Sequence, residues 1–303
     1  MRAKGAGPFL VGLGALLWAT DALFRVPAVQ RLDPTFLVFA EHAAALAILL
    51  PVMLLFFRKN LFSLRRREWL ALLIIGAAGS GLATLFFTAS FRYLNPSVTI
   101  LLQKFQPLLV VLTAYLFLGE RPERNYFLWA PIALLAAITL TFPDLNFRSL
   151  LEGVDPRSKG VVLALSAAAI WAISTTLGKA VLRGKGVWVT TFWRYAFGLG
   201  ALSALLFVEG NSPNSSWLVL RNSPSLSLAV LYMGLVPGLL AILVYYAGLA
   251  RTAASVATFL ELLFPVAAVL LNTLFLKNSA LQPLQLVAAA VLLVSVYKVS
   301  RSH

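Results

Sequence analysis

Residues 95–122 read NPSVTILLQKFQPLLVVLTAYLFLGERP. The stretch is too long for a core strand and long enough to cross a bilayer, which takes about 20 apolar residues as a helix. It carries a polar pair, Gln103-Lys104, in its middle, a proline at Pro107, and a charged closing turn, Gly119-Glu120-Arg121-Pro122. A degraded copy lies 158 residues later, over 253–280: AASVATFLELLFPVAAVLLNTLFLKNSA. There Pro265 falls on Pro107, Ser255 on Ser97 and Glu261 on Gln103. A proline ring removes one backbone donor and kinks a helix, so Pro107 and Pro265 are the expected helix-kink positions. A repeated, kinked helix with a charge at its centre points to a membrane device rather than a passive anchor.

The rest of the chain fits that reading. Hydrophobic residues make up 60% and charged residues 12%, far from the balance of a soluble domain. Ten spans are predicted: 8–26, 34–57, 68–93, 95–118, 124–142, 158–183, 188–208, 224–251, 253–276 and 281–300. Backbone groups in lipid must bond within their own segment, so these runs are expected to be helices, and nothing alternates like the strands of a membrane barrel. The amino terminus, basic and then apolar, has the form of a signal peptide. More membrane-type sequence follows it, so it reads as an uncleaved first span. The net charge of +14 does not point to nucleic acid, because the basic residues cluster between apolar runs, where they act as topology signals. Outside the spans they divide fifteen to eight, with Arg58-Lys59 and Arg65-Arg66-Arg67 on the richer face. That bias places both termini in the cytoplasm.

The polar segment 143–160 separates two halves, 1–150 and 151–303. At an offset of 153 residues, Trp18 maps onto Trp171, Phe39 onto Phe192 and Glu41 onto Arg194. Each half holds five predicted spans. Five is odd, so the second copy enters the membrane from the opposite side, giving a five-plus-five inverted repeat of an all-α polytopic protein.

Ionisable groups inside a bilayer are costly and call for a reason. They are Asp21, Glu41, His42, Lys104, Arg194 and Glu261. At 1.5 Å per residue, Glu41 and Lys104 lie roughly 10–14 Å below one surface, and Arg194 and Glu261 at similar depth below the other. Depth alone thus suggests two pairs, Glu41 with Lys104 and Arg194 with Glu261. These are either packing pairs that offset each other's desolvation or the charged walls of a substrate cavity. Asp21, His42 and Glu261 are the candidates for proton coupling, histidine because its ordinary pKa is near 6.5. Trp18, Trp171, Gln103 and the nearby Gln106 complete a candidate substrate site, since an apolar cavity with a few fixed polar groups is what a small molecule needs. Lys179, near a span end, reads as a snorkelling side chain.

The motifs of enzymes are missing. There is no GxxxxGK[ST], no HExxH, no cysteine and only two histidines, His42 and His303, so no metal site or cofactor is expected.

Taken together, these features resemble the drug/metabolite transporter superfamily of the EamA type. They are the ten spans in two halves, Trp18 and Trp171 in the first helix of each, Glu41 and Arg194 early in the second, proline in the fourth, and the turn Leu118-Gly119-Glu120-Arg121-Pro122. The second half departs from the pattern, with Lys277-Asn278 where the acidic turn residue would stand. The resemblance implies a secondary transporter in a membrane, a bacterial inner membrane being the expected location, working on a small molecule with protons or a counter-substrate as possible co-partners. Members export amino acids and other metabolites, and relatives exchange phosphorylated sugars or nucleotide sugars. The balanced interior charges favour a zwitterion such as an amino acid. Phosphorylated sugars and hydrophobic cations are the alternatives.

Overall fold

The computed structural model describes residues 6–94, 96–141, 156–209, 213–275 and 282–300. Most of the link 143–160 and the Lys277-Asn278 turn lie outside them. The described residues are helical and contain no strand. In chain order the helices are α1 (Ala6–Val29), α2 (Pro34–Phe56) and α3 (Arg66–Ser90), then α4 (Pro96–Gln103 continued by Gln106–Leu118) and α5 (Arg124–Thr141). The helical stretch Pro156–Glu209 bends at Gly186, where φ is 75° and ψ 172°. Its two arms are α6 (156–185) and α7 (187–209). There follow α8 (Pro213–Arg221), α9 (Pro224–Leu249), α10 (Ala254–Leu260 continued by Leu263–Phe275) and α11 (Pro283–Ser300). Among the described residues six helical stretches are long and apolar enough to cross a membrane, with shorter apolar helices beside them. One of the six is the 52-residue stretch Ser158–Glu209, whose length as a single rod, about 78 Å at 1.5 Å per residue, is well beyond one crossing. Its arms fold back at Gly186, for both touch the same turn of α3. Trp171 Nε1 donates to the Gly79 carbonyl at 2.9 Å, while Gly76 lies against the Arg194 carbonyl.

Local sequence sets the helix ends. Asp33 caps α2, its carboxylate accepting from the N–H groups of Thr35 at 2.9 Å and Phe36 at 3.1 Å, with Pro34 pre-set at the first helical position. Gly119 ends α4 in the left-handed region, φ 67°, so that the Glu120 N–H turns back to the Ala114 carbonyl at 3.2 Å. The same turn aims the Glu120 carboxylate at the start of α10, where it accepts from Ala254 N–H (3.0 Å), Ser255 N–H (3.1 Å) and the Ser255 hydroxyl (3.0 Å). An acidic residue in the α4–α5 turn therefore fixes a helix of the other half.

Two long helices carry a wide, π-helical stretch, Ile74–Leu82 in α3 and Gly234–Leu240 in α9. Each stretch has a glycine near its start, Gly76 or Gly234, pressed against the backbone of another long helix. A methyl group added at Gly76 would lie 2.8 Å from the Arg194 carbonyl oxygen, and one at Gly234 would lie 2.8 Å from the Glu41 carbonyl oxygen. The offsets are 194 − 41 = 153 and 234 − 76 = 158, the two offsets already read from the sequence. One contact is thus built twice. Alanine at Gly76 or Gly234 is expected to destabilise the protein by about 1–3 kcal/mol through overpacking. Gly200→Ala, whose methyl meets nothing within 4 Å, leaves the melting temperature in detergent unchanged or slightly raised. Equal melting of all three variants would contradict this packing.

Candidate functional site

The proline-bearing helices break where their sequences carry charge. Residues 104–105 interrupt α4 and residues 261–262 interrupt α10. Across both breaks the hydrogen bonds tighten to i→i−3: Lys104 N–H to Leu101 O (2.8 Å) and Phe105 N–H to Leu102 O (3.2 Å) in one, Leu262 N–H to Phe259 O (3.1 Å) and Phe264 N–H to Glu261 O (3.0 Å) in the other. Pro107 and Pro265 each follow a break by two or three residues. With no N–H they leave the carbonyls of Gln103 and Glu261 without an i+4 donor. A third break, at Thr20-Asp21, divides α1.

The breaks surround one cavity of about 180 Å³. Its walls contain Trp18, Asp21, Glu41, His42, Gln103, Lys104, Trp171, Arg194 and Glu261. The Trp18 ring lies 4.9 Å from that of Tyr245, tilted by 47°, and Trp171 lies 5.2 Å from Phe87.

The charges are paired differently from the depth argument. Neither Glu41 with Lys104 nor Arg194 with Glu261 forms an ion pair among the described residues. Depth orders residues along the membrane normal and says nothing of which way each helix face turns. Glu41 is instead held by Arg25, whose guanidinium reaches Glu41 Oε2 at 2.8 Å, the Asp21 carboxylate one helical turn back, and the Thr88 hydroxyl at 2.8 Å. Arg25 is 5% exposed and Glu41 5%. Arg25 is not among the interior charges named from the sequence, although its i,i+4 spacing from Asp21 is a usable signal. Asp21, a proton-coupling candidate from the sequence, is a member of this cluster.

Glu261 sits in the second cluster. Its Oε1 accepts from the Tyr245 hydroxyl at 2.6 Å and its Oε2 from the Gln106 amide at 3.3 Å. Lys104 Nζ lies 4.4 Å from the centre of the Phe264 ring and 3.5 Å from Gln103 Oε1. Arg194 donates to the Tyr246 hydroxyl at 3.1 Å. His42 uses both ring nitrogens, Nδ1 at 2.8 Å from the Val38 carbonyl and Nε2 at 2.9 Å from Ser80 Oγ. A carbonyl only accepts, so Nδ1 carries the proton. Lys179 does not snorkel. It is buried and donates to the Leu249 (2.7 Å) and Ala250 (3.2 Å) carbonyls at the end of α9, where a cation suits the exposed carbonyls. No group of three metal-ligating side chains occurs among the described residues.

The model of the EamA-like transporter family matches this chain twice, over residues 5–142 and 158–301. The chain belongs to the EamA-like transporter family. This transporter is an integral, multi-pass membrane protein, and its family implies a small-molecule substrate. It is 29% identical over 305 residues to a riboflavin transporter, ImpX, of Fusobacterium nucleatum subsp. nucleatum, covering 97% of each chain. It is 24% identical over 279 residues to an uncharacterized transporter of Clostridium kluyveri, covering 90% of this chain and 86% of that one. Both relatives are bacterial, consistent with an inner-membrane location. A solved crystal structure superposes with a TM-score of 0.73 at 19% identity, covering 98% of each chain, which establishes the fold.

Removing Arg25 leaves two carboxylates buried without their counter-charge. Arg25→Met is therefore expected to cost about 3–5 kcal/mol. The triple variant Asp21→Asn/Arg25→Met/Glu41→Gln recovers most of that loss. Thermal unfolding in detergent is the readout, and a triple variant no more stable than the single one would rule out this role for Arg25.

Proposed function

We propose that this transporter is a ten-helix inverted repeat, 1–150 against 151–303, with both termini in the cytoplasm. It carries a neutral, flat, hydrogen-bonding aromatic solute of the riboflavin kind by alternating access to the central cavity. The observation that carries this reading is the state of the cavity's charges. Arg25 is shared between Asp21 and Glu41, and Lys104 lies in the same walls as Glu261. Largely balanced charges leave discrimination to the aromatic faces of Trp18, Trp171 and Tyr245 and to amides and hydroxyls such as Gln103, Gln106 and Ser174. An isoalloxazine ring offers the matching features, a broad stacking face with donors and acceptors on its rim. The near full-length similarity to a riboflavin transporter supports the same reading. Asp21, His42 and Glu261 are the groups available for proton coupling, and a counter-substrate is the other driving partner. Pro107 and Pro265 hold the breaks about which the helix halves tilt.

A second reading, the amino acid zwitterion, has its own support. Glu41 Oε1 and Arg194 Nε are buried without a hydrogen-bond partner among the described residues, and both residues line the cavity. An α-amine on the first and a carboxylate on the second would satisfy them.

The two readings separate in proteoliposomes preloaded with unlabelled solute. Labelled riboflavin is expected to enter faster when riboflavin is present on the far side. Trp18→Ala is expected to raise the half-saturating concentration about tenfold through lost stacking. Exchange of a labelled amino acid with no riboflavin exchange would replace the first reading by the second.

A further inference from the structure

The transporter is closed at its two ends by one contact used twice. At one end Gly7, in the first turn of α1, lies under the turn between α9 and α10, where a methyl group would meet Thr252 Oγ1 at 2.5 Å and Arg251 Cβ at 3.0 Å. At the other end Gly160, in α6, lies under the turn between α3 and α4, where a methyl group would meet Leu94 Cγ at 2.6 Å and Tyr93 Cβ at 2.8 Å. The offsets are 160 − 7 = 153 and 251 − 93 = 252 − 94 = 158, those of the repeat. The helices that each turn joins line the cavity, α3 and α4 through Thr84 and Lys104, α9 and α10 through Tyr245 and Glu261. Lifting either turn off its glycine would therefore open the cavity at that end.

The bonds that hold the two turns are not repeated. The α9–α10 turn is held by Glu120, which accepts from Ala254 N–H, Ser255 N–H and the Ser255 hydroxyl, and by Lys179, which donates to the Leu249 and Ala250 carbonyls. At the same offsets the other end has Pro96 for Ala254, Val26 for Lys179 and, outside the described residues, Asn278 for Glu120. A proline has no N–H to give a cap, valine has no charge, and asparagine is neutral. The described hydrogen bonds from the α3–α4 turn to α1 and α2 come from Arg92, an exposed side chain that donates to the Val29 (3.2 Å) and Leu32 (2.8 Å) carbonyls.

We propose that Glu120 is a latch on one side only: it holds the α9–α10 turn shut and so makes the empty transporter open by preference at the α3–α4 end. With both termini in the cytoplasm, that end is the outer face. The inference rests on the reading of the cavity as one that opens to the two faces in turn, and on neither candidate solute. A contact made in one state and lost in the other shifts the equilibrium between them by its differential free energy. The first amides of α10 have no partner within their own helix, so the carboxylate that satisfies them favours the state in which the turn is seated. Glu120 touches no cavity wall, and its part in transport is positional.

The test places a single thiol in the cavity wall, Ser174→Cys, in a chain with no other cysteine. Its labelling by a membrane-impermeant maleimide is timed without substrate in vesicles of both orientations. A separate single cysteine at Arg121, exposed beside Glu120, marks the face on which that turn lies. Adding Glu120→Gln is expected to speed labelling from the Glu120 face and slow it from the opposite face, raising the ratio of the two rates about tenfold, as the loss of a charged helix cap implies. Ser255→Ala, which removes one of the three donors, moves the ratio the same way by less, and Arg92→Met moves it the other way. Labelling raised equally from both faces, or a ratio that Glu120→Gln leaves unchanged, would make Glu120 a packing cap and overturn the latch while leaving alternating access standing. Labelling from one face alone in every variant would overturn both.

Discussion

A backbone carbonyl released inside a bilayer must find a partner in protein or in water, because lipid supplies none. This chain removes the i+4 donors of the Gln103 and Glu261 carbonyls at matching places, by Pro107 and Pro265, the Glu261 carbonyl taking the Phe264 N–H instead, and it widens two further helices at Ile74–Leu82 and Gly234–Leu240. Such irregular backbone is tolerated only where it lines a cavity or is buried against other helices. The cavity's position is therefore a consequence of where the prolines and glycines stand. The polar side chains follow the same logic: Gln103, Lys104, Gln106 and Glu261 cluster at the breaks because those are the places where polar groups have company.

The charges are arranged so that each has a local compensation. Arg25 answers Asp21 and Glu41 at once and takes a further bond from its guanidinium to Thr88. A lone buried ion costs several kcal/mol, so a shared guanidinium holds the α1 break, α2 and α3 as one unit. At the other end of the molecule the turn between α9 and α10 is held by opposite charges. Lys179 binds the last carbonyls of α9, and Glu120 caps the first amides of α10. Both clamps act on backbone, so they set helix positions without depending on which side chains the turn carries.

Periodic features were legible in the sequence and partners were not. The offsets of 153 and 158 residues found Trp18 with Trp171 and Pro107 with Pro265, and with them the family and the cavity walls. Gly76 is one of 19 glycines in the sequence, and only the fold shows that it lies against the Arg194 carbonyl as Gly234 lies against that of Glu41. The ion pairs were misjudged because residues at equal depth on different helices need not face each other. Arg25 was overlooked because a cation near a span end ordinarily serves topology. Lys179 was misjudged for the same reason, since the carbonyls it binds belong to a turn 70 residues away in the chain.

Alternating access requires that one cavity, built from both halves, open to each side of the membrane in turn. The chain has no cysteine, so a single Ser174→Cys places one thiol in the cavity wall. Labelling by a membrane-impermeant maleimide would be measured in right-side-out and inside-out vesicles that have been shown to carry flux. Labelling is expected from both faces, slowed by saturating substrate on either. Labelling from one face only, or at a rate that substrate leaves unchanged, would contradict it.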